Sequence, residues 1–159
     1  MSLALCRVDD RLVHGQVVIG WGRPLAIHLV VLVDDGVRRS AWEQSLYRMA
    51  VPHGVDIVFA STAEAVTQLH AWADDARRGI LLTGDLVTMA ALHDAAPDVI
   101  RRINLGGLHH RPPRRERLRY VYLDPAEEDL LERLAADGVV IEAQDLPTSP
   151  PVALAELLG

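Results

Sequence analysis

Short apolar runs alternate with longer stretches of helical period along the chain, and polar turns rich in Gly, Asp and Pro separate them. Leu3-Ala4-Leu5-Cys6-Arg7-Val8 reads as a first strand, and Gln16 to Trp21 as the first turns of a helix. Residues 26–33 form a second strand that Asp34-Asp35-Gly36 ends. An amphipathic helix is predicted over 37–49, stopped by Pro52-His53-Gly54. A third strand spans 55–60, and Ser61-Thr62-Ala63-Glu64, a capping-box pattern, opens a helix running to about residue 76. A fourth strand at 80–83 precedes a helix at 86–95. A fifth strand, 98–105, runs into Gly106-Gly107.

Two further strand–helix units follow a basic, proline-bearing connection, His109 to Arg115. They are a strand at 118–123 with a helix at 125–136, and a strand at 139–143 leading through Pro147 to a short terminal helix. Repeated βα units predict one α/β domain over residues 1–159. Its expected form is an open, mostly parallel sheet of about seven strands, with helices on both faces. The connection before residue 118 is too short for a crossover helix, so the sixth strand is the one expected to run antiparallel.

Composition narrows the function classes. Half of the 159 residues are apolar, enough for a core of ordinary size, and the formal net charge is −6. That charge argues against nucleic acid as a partner. All 16 basic residues are arginine, which removes lysine nucleophiles and the lysine of a phosphate-binding Walker loop. The sole cysteine, Cys6, lies in an apolar strand and reads as a small core residue, not a nucleophile. Asp9, Asp10 and Arg11 interrupt the apolar start, so no signal peptide is read there. The longest apolar run, at 29–33, is far short of the roughly 20 residues that span a bilayer. A cytoplasmic protein is expected.

Residues 9–16, Asp-Asp-Arg-Leu-Val-His-Gly-Gln, carry the candidate chemistry. They set His14 in a polar break between the first strand and the first helix, where α/β proteins expose free amides and bind anions. Arg11 supplies a fork of donors suited to phosphate oxygens. Gly15 permits close approach to the backbone, and the amides from Gly15 and Gln16 onward are unpaired donors. A neutral imidazole is a competent nucleophile. Asp9 and Asp10 are either turn formers or orienting carboxylates, with Asp10 the better functional candidate. Gly106 and Gly107, after Asn104, end another strand and either offer amides to the same anion or form a plain turn. A metal site from Asp9, Asp10, Asp34 and Asp35 lacks ligand spacing and is not expected. His109, His110 and Arg111, Arg114, Arg115, Arg117 and Arg119 read by default as a solvated basic face, with an acidic partner surface as the sharper reading.

Residues 7–17, Arg-Val-Asp-Asp-Arg-Leu-Val-His-Gly-Gln-Val, closely resemble the enzyme IIB subunits of the bacterial sugar phosphotransferase system, in the mannose/fructose/sorbose family. Trp21, Pro52-His53-Gly54-Val55, Asn104-Leu105-Gly106-Gly107, Leu123-Asp124, Gly138-Val139 and Leu146-Pro147 extend the likeness along essentially the full length. Asp34-Asp35 replaces the family's usual Asn-Asp, residues 37–40 depart from its next segment, and Leu108 stands for its usual methionine.

The resemblance implies that His14 is the phosphohistidine intermediate, on Nδ1, and that no cofactor or metal is used. The phosphoryl group would come from a phosphohistidine of a IIA protein or domain. It would go to a sugar of the mannose/fructose/sorbose class held by a IIC/IID membrane permease, with which the chain would associate peripherally. Arg11 would stabilise the transfer, with Asp10, Gly15, Gln16, Gly106 and Gly107 around the phosphoryl group. Self-association is left open. Competing readings are a regulatory IIB-like phosphoprotein uncoupled from transport, a hydrolase using His14 as base, and a nucleotide-binding fold. The hydrolase lacks a visibly paired serine or cysteine, and the nucleotide fold lacks a Gly-x-Gly-x-x-Gly fingerprint.

Overall fold

The structure, a computed structural model, describes residues 2–159. Its frame is a seven-stranded sheet in the order β3-β2-β4-β1-β5-β8-β9. The strands are β1 (Leu3–Val8), β2 (Leu29–Val33), β3 (Asp56–Ala60), β4 (Gly79–Thr83), β5 (Arg102–Leu105), β8 (Val140–Ala143) and β9 (Val152–Ala153). All neighbours pair in parallel except β8 with β9.

Alternation along the central strands decides the two cores. Leu29, Val31, Val33 and Leu81 point into one, under the helices α3 (Thr62–Ala65), α4 (Leu69–Ala73), α5 (Leu86–Ala95), α6 (Pro125–Ala136) and α7 (Leu154–Leu158). Val30, Leu32, Ile80 and Leu82 point into the other. That face is covered by a π-helix (Gln16–Trp21), by Val37 of α1 (Asp35–Arg38), and by Tyr47 of α2 (Ala41–Ala50). Each fully buried Leu or Val contributes roughly 1.5–3 kcal/mol.

The mostly parallel α/β sheet with helices on both faces is as expected, but several elements differ. The helix expected at 37–49 is two, because Ser40 takes an extended conformation and its hydroxyl accepts from the Glu43 N–H, starting α2 afresh. The helix after Ser61 likewise breaks between α3 and α4, although the capping box itself forms: Ser61 Oγ accepts from Glu64 N and Glu64 Oε1 from Ser61 N.

The strand expected at 118–123 to run antiparallel in the sheet is not part of it. It forms a separate hairpin, β6 (Arg115–Leu118) with β7 (Val121–Leu123), attached through a bridge between Val121 and Leu108. Arg115 and Glu116 are exposed there, whereas a central parallel strand would have to bury such charges. The antiparallel strand of the main sheet is instead the two-residue β9, which follows Pro150-Pro151 and carries no strand signal of its own.

Leu81→Ala empties a fully buried position in a strand paired on both sides and is expected to cost about 2–5 kcal/mol in urea unfolding. Met49→Ala, on the exposed side of α2, is expected to stay within about 0.5 kcal/mol. Equal losses would contradict this assignment of the cores.

Candidate functional site

Parallel strands bring their C-terminal ends to one edge, and β1 lies between β4 and β5 there, with Val8 opposite Thr83 and Leu105. The chain leaving β1 is held by that edge. Asp9 N–H donates to the Thr83 carbonyl (2.9 Å), Asp10 N–H to the Gly107 carbonyl (2.8 Å), and Gly106 N–H to the Val8 carbonyl (2.7 Å). Leu12 then takes a left-handed φ of 62°, uncommon for a branched residue, which turns the chain so that His14 comes back over Asp9.

The Asp9 carboxylate is fully buried and organises the site. Its Oδ1 accepts from Arg11 N (3.1 Å) and Nε (3.2 Å). Oδ2 accepts from Arg11 Nη2 (3.2 Å) and Arg7 Nη2 (3.3 Å), and lies 3.3 Å from His14 Nε2. Burial alone would raise the Asp9 carboxyl. The contacts with His14, Arg11 and Arg7 outweigh it and hold the group below the usual carboxylate range.

His14 Nε2 is buried with the Asp9 contact as its near neighbour, at an angle too poor for a formal hydrogen bond. Its Nδ1 accepts from Gln16 N–H at 3.3 Å. Arg11 Nη2 also donates to Gln16 Oε1 (2.5 Å), so Arg11 is gripped on two sides while a third of it stays exposed.

Arg7 lies beneath. It is fully buried and donates to Asn104 Oδ1, to the Gln144 carbonyl (2.8 Å) and to the Asp145 carbonyl (3.1 Å), with its guanidinium over the Trp21 ring. Burial lowers its pKa and Asp9 pulls the other way; the guanidinium remains cationic. The two glycines after β5 make room for this packing. A Cβ on Gly106 would stand 2.7 Å from Asp9 Oδ2 and 2.5 Å from Arg7 Cζ.

The structure thus brings Arg11, His14, Gly15, Gln16, Gly106 and Gly107 together, with changes in detail. The N–H of Gly106 is taken by β1 and is not a free donor. At Gly15 the φ is −55° and an added Cβ would meet nothing within 4 Å, so neither backbone nor packing requires glycine there. The orienting carboxylate is Asp9. Asp10, ranked ahead of it from sequence, turns to the other side and accepts from His109 N (2.8 Å) and Nδ1 (2.6 Å). Asp34 caps α1 and Asp35 accepts from Thr62 N, so the four aspartates do not converge.

The basic stretch is not simply a solvated face, because Arg114 is buried and pairs Glu127 through two bonds of 2.9 and 2.8 Å. Arg7 has no role in the sequence reading, and His109 is read there only within the basic face. A charged residue inside an apolar strand was the available signal for Arg7, since burying an unpaired charge is prohibitively costly. Cys6, as expected, is a core residue, and burial pushes its thiol up to about 12.

The family described as PTS system sorbose subfamily IIB component matches residues 3–159. The chain belongs to that IIB family. It is 29% identical over 161 residues to the N-acetylgalactosamine-specific phosphotransferase enzyme IIB component 2 of Escherichia coli (strain K12), covering 99% of each chain. It is 24% identical over 159 residues to the PTS system mannose-specific EIIAB component of the same organism, of which this IIB chain covers 49%. Among solved structures, the IIBSor domain of the sorbose permease from Klebsiella pneumoniae superposes with a TM-score of 0.90 at 25% identity, covering 99% of this chain and 96% of that one. Among the described residues, no helix of this IIB chain is long and apolar enough to cross a membrane.

Asp9→Asn removes the counter-charge of a buried arginine and is expected to cost about 3–5 kcal/mol at pH 7. Because the Asp9 pKa is depressed on folding, its contribution is full above about pH 4 and is lost as pH falls through the folded value. Urea unfolding at pH 7 and pH 3 is expected to show the wild-type advantage shrinking at the lower pH; a constant difference would contradict the depressed pKa.

Proposed function

We propose that this chain is a phosphocarrier: His14 accepts a phosphoryl group from a IIA phosphohistidine and passes it to a sugar at a IIC/IID permease. The chain would act as one IIB domain in the cytoplasm, peripheral to that permease. The observation that carries the reading is the polarity of the His14 ring, with Nε2 against a buried carboxylate and Nδ1 facing a backbone N–H.

A proton on Nε2 is favoured by the Asp9 charge, which leaves the lone pair on Nδ1 for attack on phosphorus. As the Nδ1–P bond forms, the P–N bond to the donor imidazole breaks and that ring recovers its electron pair. Asp9 stabilises the positive charge that the His14 ring acquires, as an orienting carboxylate does in other histidine sites.

Charge balance supports a phosphate-sized anion. Asp9 compensates one of its two arginines, so Arg7, Asp9 and Arg11 together carry one net positive charge beside the His14 ring. Arg11 is the partly exposed member and offers its guanidinium donors to equatorial phosphoryl oxygens, while Gln16 N–H stands where a phosphoryl group on Nδ1 would meet it. The open space at Gly15 suits the same group. The EIIAB relative, about half of which the chain covers, supports a IIA protein or domain as donor.

Incubation with phosphoenolpyruvate, enzyme I, HPr and a cognate IIA protein, read by intact mass, is expected to add one acid-labile phosphoryl group to the wild type and none to His14→Ala. Label retained in the variant would move the site elsewhere. Arg11→Ala is expected to keep the site but slow its labelling on the order of 10²-fold, the scale for losing one charge-stabilising donor. A wild-type rate would remove Arg11 from the transfer.

A further inference from the structure

The loop that follows Gly106-Gly107 is fastened from both sides. Below it, buried Arg114 is clamped by Glu127, which also closes the capping box of α6, and Arg114 Nη1 donates to the His109 carbonyl at 2.9 Å. Above it, Asp10 accepts from both the backbone N–H and the ring Nδ1 of His109. The His109 side chain is 55% exposed, yet its backbone and one ring nitrogen are held by three polar atoms of two residues, Asp10 and Arg114. Freezing an exposed side chain loses rotamer entropy and is not needed for solubility.

The ring is held at the site already described. A Cβ on Gly107 would stand 3.1 Å from His109 Cε1, 3.3 Å from Arg11 Nε and 3.3 Å from Asp9 Oδ1, so all three border one small volume. Cε1 is bonded to Nε2, and Nε2 makes no hydrogen bond among the described residues. The carboxylates beside it are engaged: Asp10 by His109 through both oxygens, and Asp9 by Arg7 and Arg11.

We propose that His109 is a further phosphoryl-contacting residue, its Nε2–H donating to a phosphoryl oxygen during transfer to His14, with Asp10 as the residue that positions it. The proposal rests on the phosphocarrier reading. In the loaded site Asp10 accepts from Nδ1–H and the phosphoryl oxygen from Nε2–H, the donor pattern of an imidazolium. His109 neither gains nor loses a proton in the step; it stabilises charge beside Arg11.

Phosphoramidate tests this without any partner protein. Its P–N bond breaks and ammonia leaves as phosphorus bonds to His14 Nδ1, and the label is followed by intact mass and mapped by peptide fragmentation. His109→Ala is expected to label roughly 10-fold more slowly than wild type, less than for a buried donor because the ring is half exposed. His109→Gln, which keeps an N–H donor, is expected to recover most of the rate, a rescue that a merely structural histidine would not show. Labelling of His109→Ala at the wild-type rate, or no gain from glutamine over alanine, overturns the proposal and leaves the role of His14 standing. Wild-type protein that takes no label on His14 overturns the phosphocarrier reading and this one with it.

Discussion

The Asp9 carboxylate is the group on which the site depends. It is fully buried, and a lone buried charge is far too costly to survive, so its partners are obligatory. Arg7 comes from the strand below, Arg11 from the turn two residues on, and His14 from the bend just before the π-helix. One carboxylate therefore ties strand, turn and helix together. The same contacts that make its burial tolerable set the orientation of the imidazole.

Everything around it follows from holding that carboxylate away from water. Asn104 and the carbonyls of Gln144 and Asp145 satisfy Arg7 from β5 and from the segment after β8, and the Trp21 ring covers its face. Gly106 is required because a side chain there would strike both members of the ion pair. The parallel sheet supplies the place: its central strand ends between two others, and the open backbone edge at that end binds the loop from Asp9 onward. Rigid strands thus hold a reactive turn, the arrangement that lets a site keep its geometry while exposing part of its chemistry.

The site has an asymmetry that matters for its partners. On one side, Arg11 is partly exposed and bonds Gln16, whose backbone N–H meets His14 Nδ1. On the other side, the loop at 109–114 is anchored through Arg114 and Glu127 onto α6, so a stretch that reads from sequence as a solvated basic face is tied down. A turn held by polar contacts on both sides fits group transfer, where misplacing the reacting atoms by an ångström is expensive.

The sequence by itself determined the α/β class, the places of most strands and the stretch that carries His14 and Arg11. Those features are written in local periodicity and in a contiguous motif, which need no distant partner to be read. Capping signals such as Ser61-Thr62-Ala63-Glu64 were legible for the same reason. Only the tertiary structure decided between Asp9 and Asp10, because adjacent residues of an extended chain point to opposite sides, and which side is buried depends on β4 and β5. It also decided that Arg7 is part of the site, that Arg114 is buried against Glu127, and that His109 reaches Asp10, contacts whose partners lie up to 138 residues apart. The antiparallel edge strand passed unseen because two residues pair only when a neighbouring strand offers its open edge. Local patterns carry the elements; long-range burial of charge chooses among the residues on them.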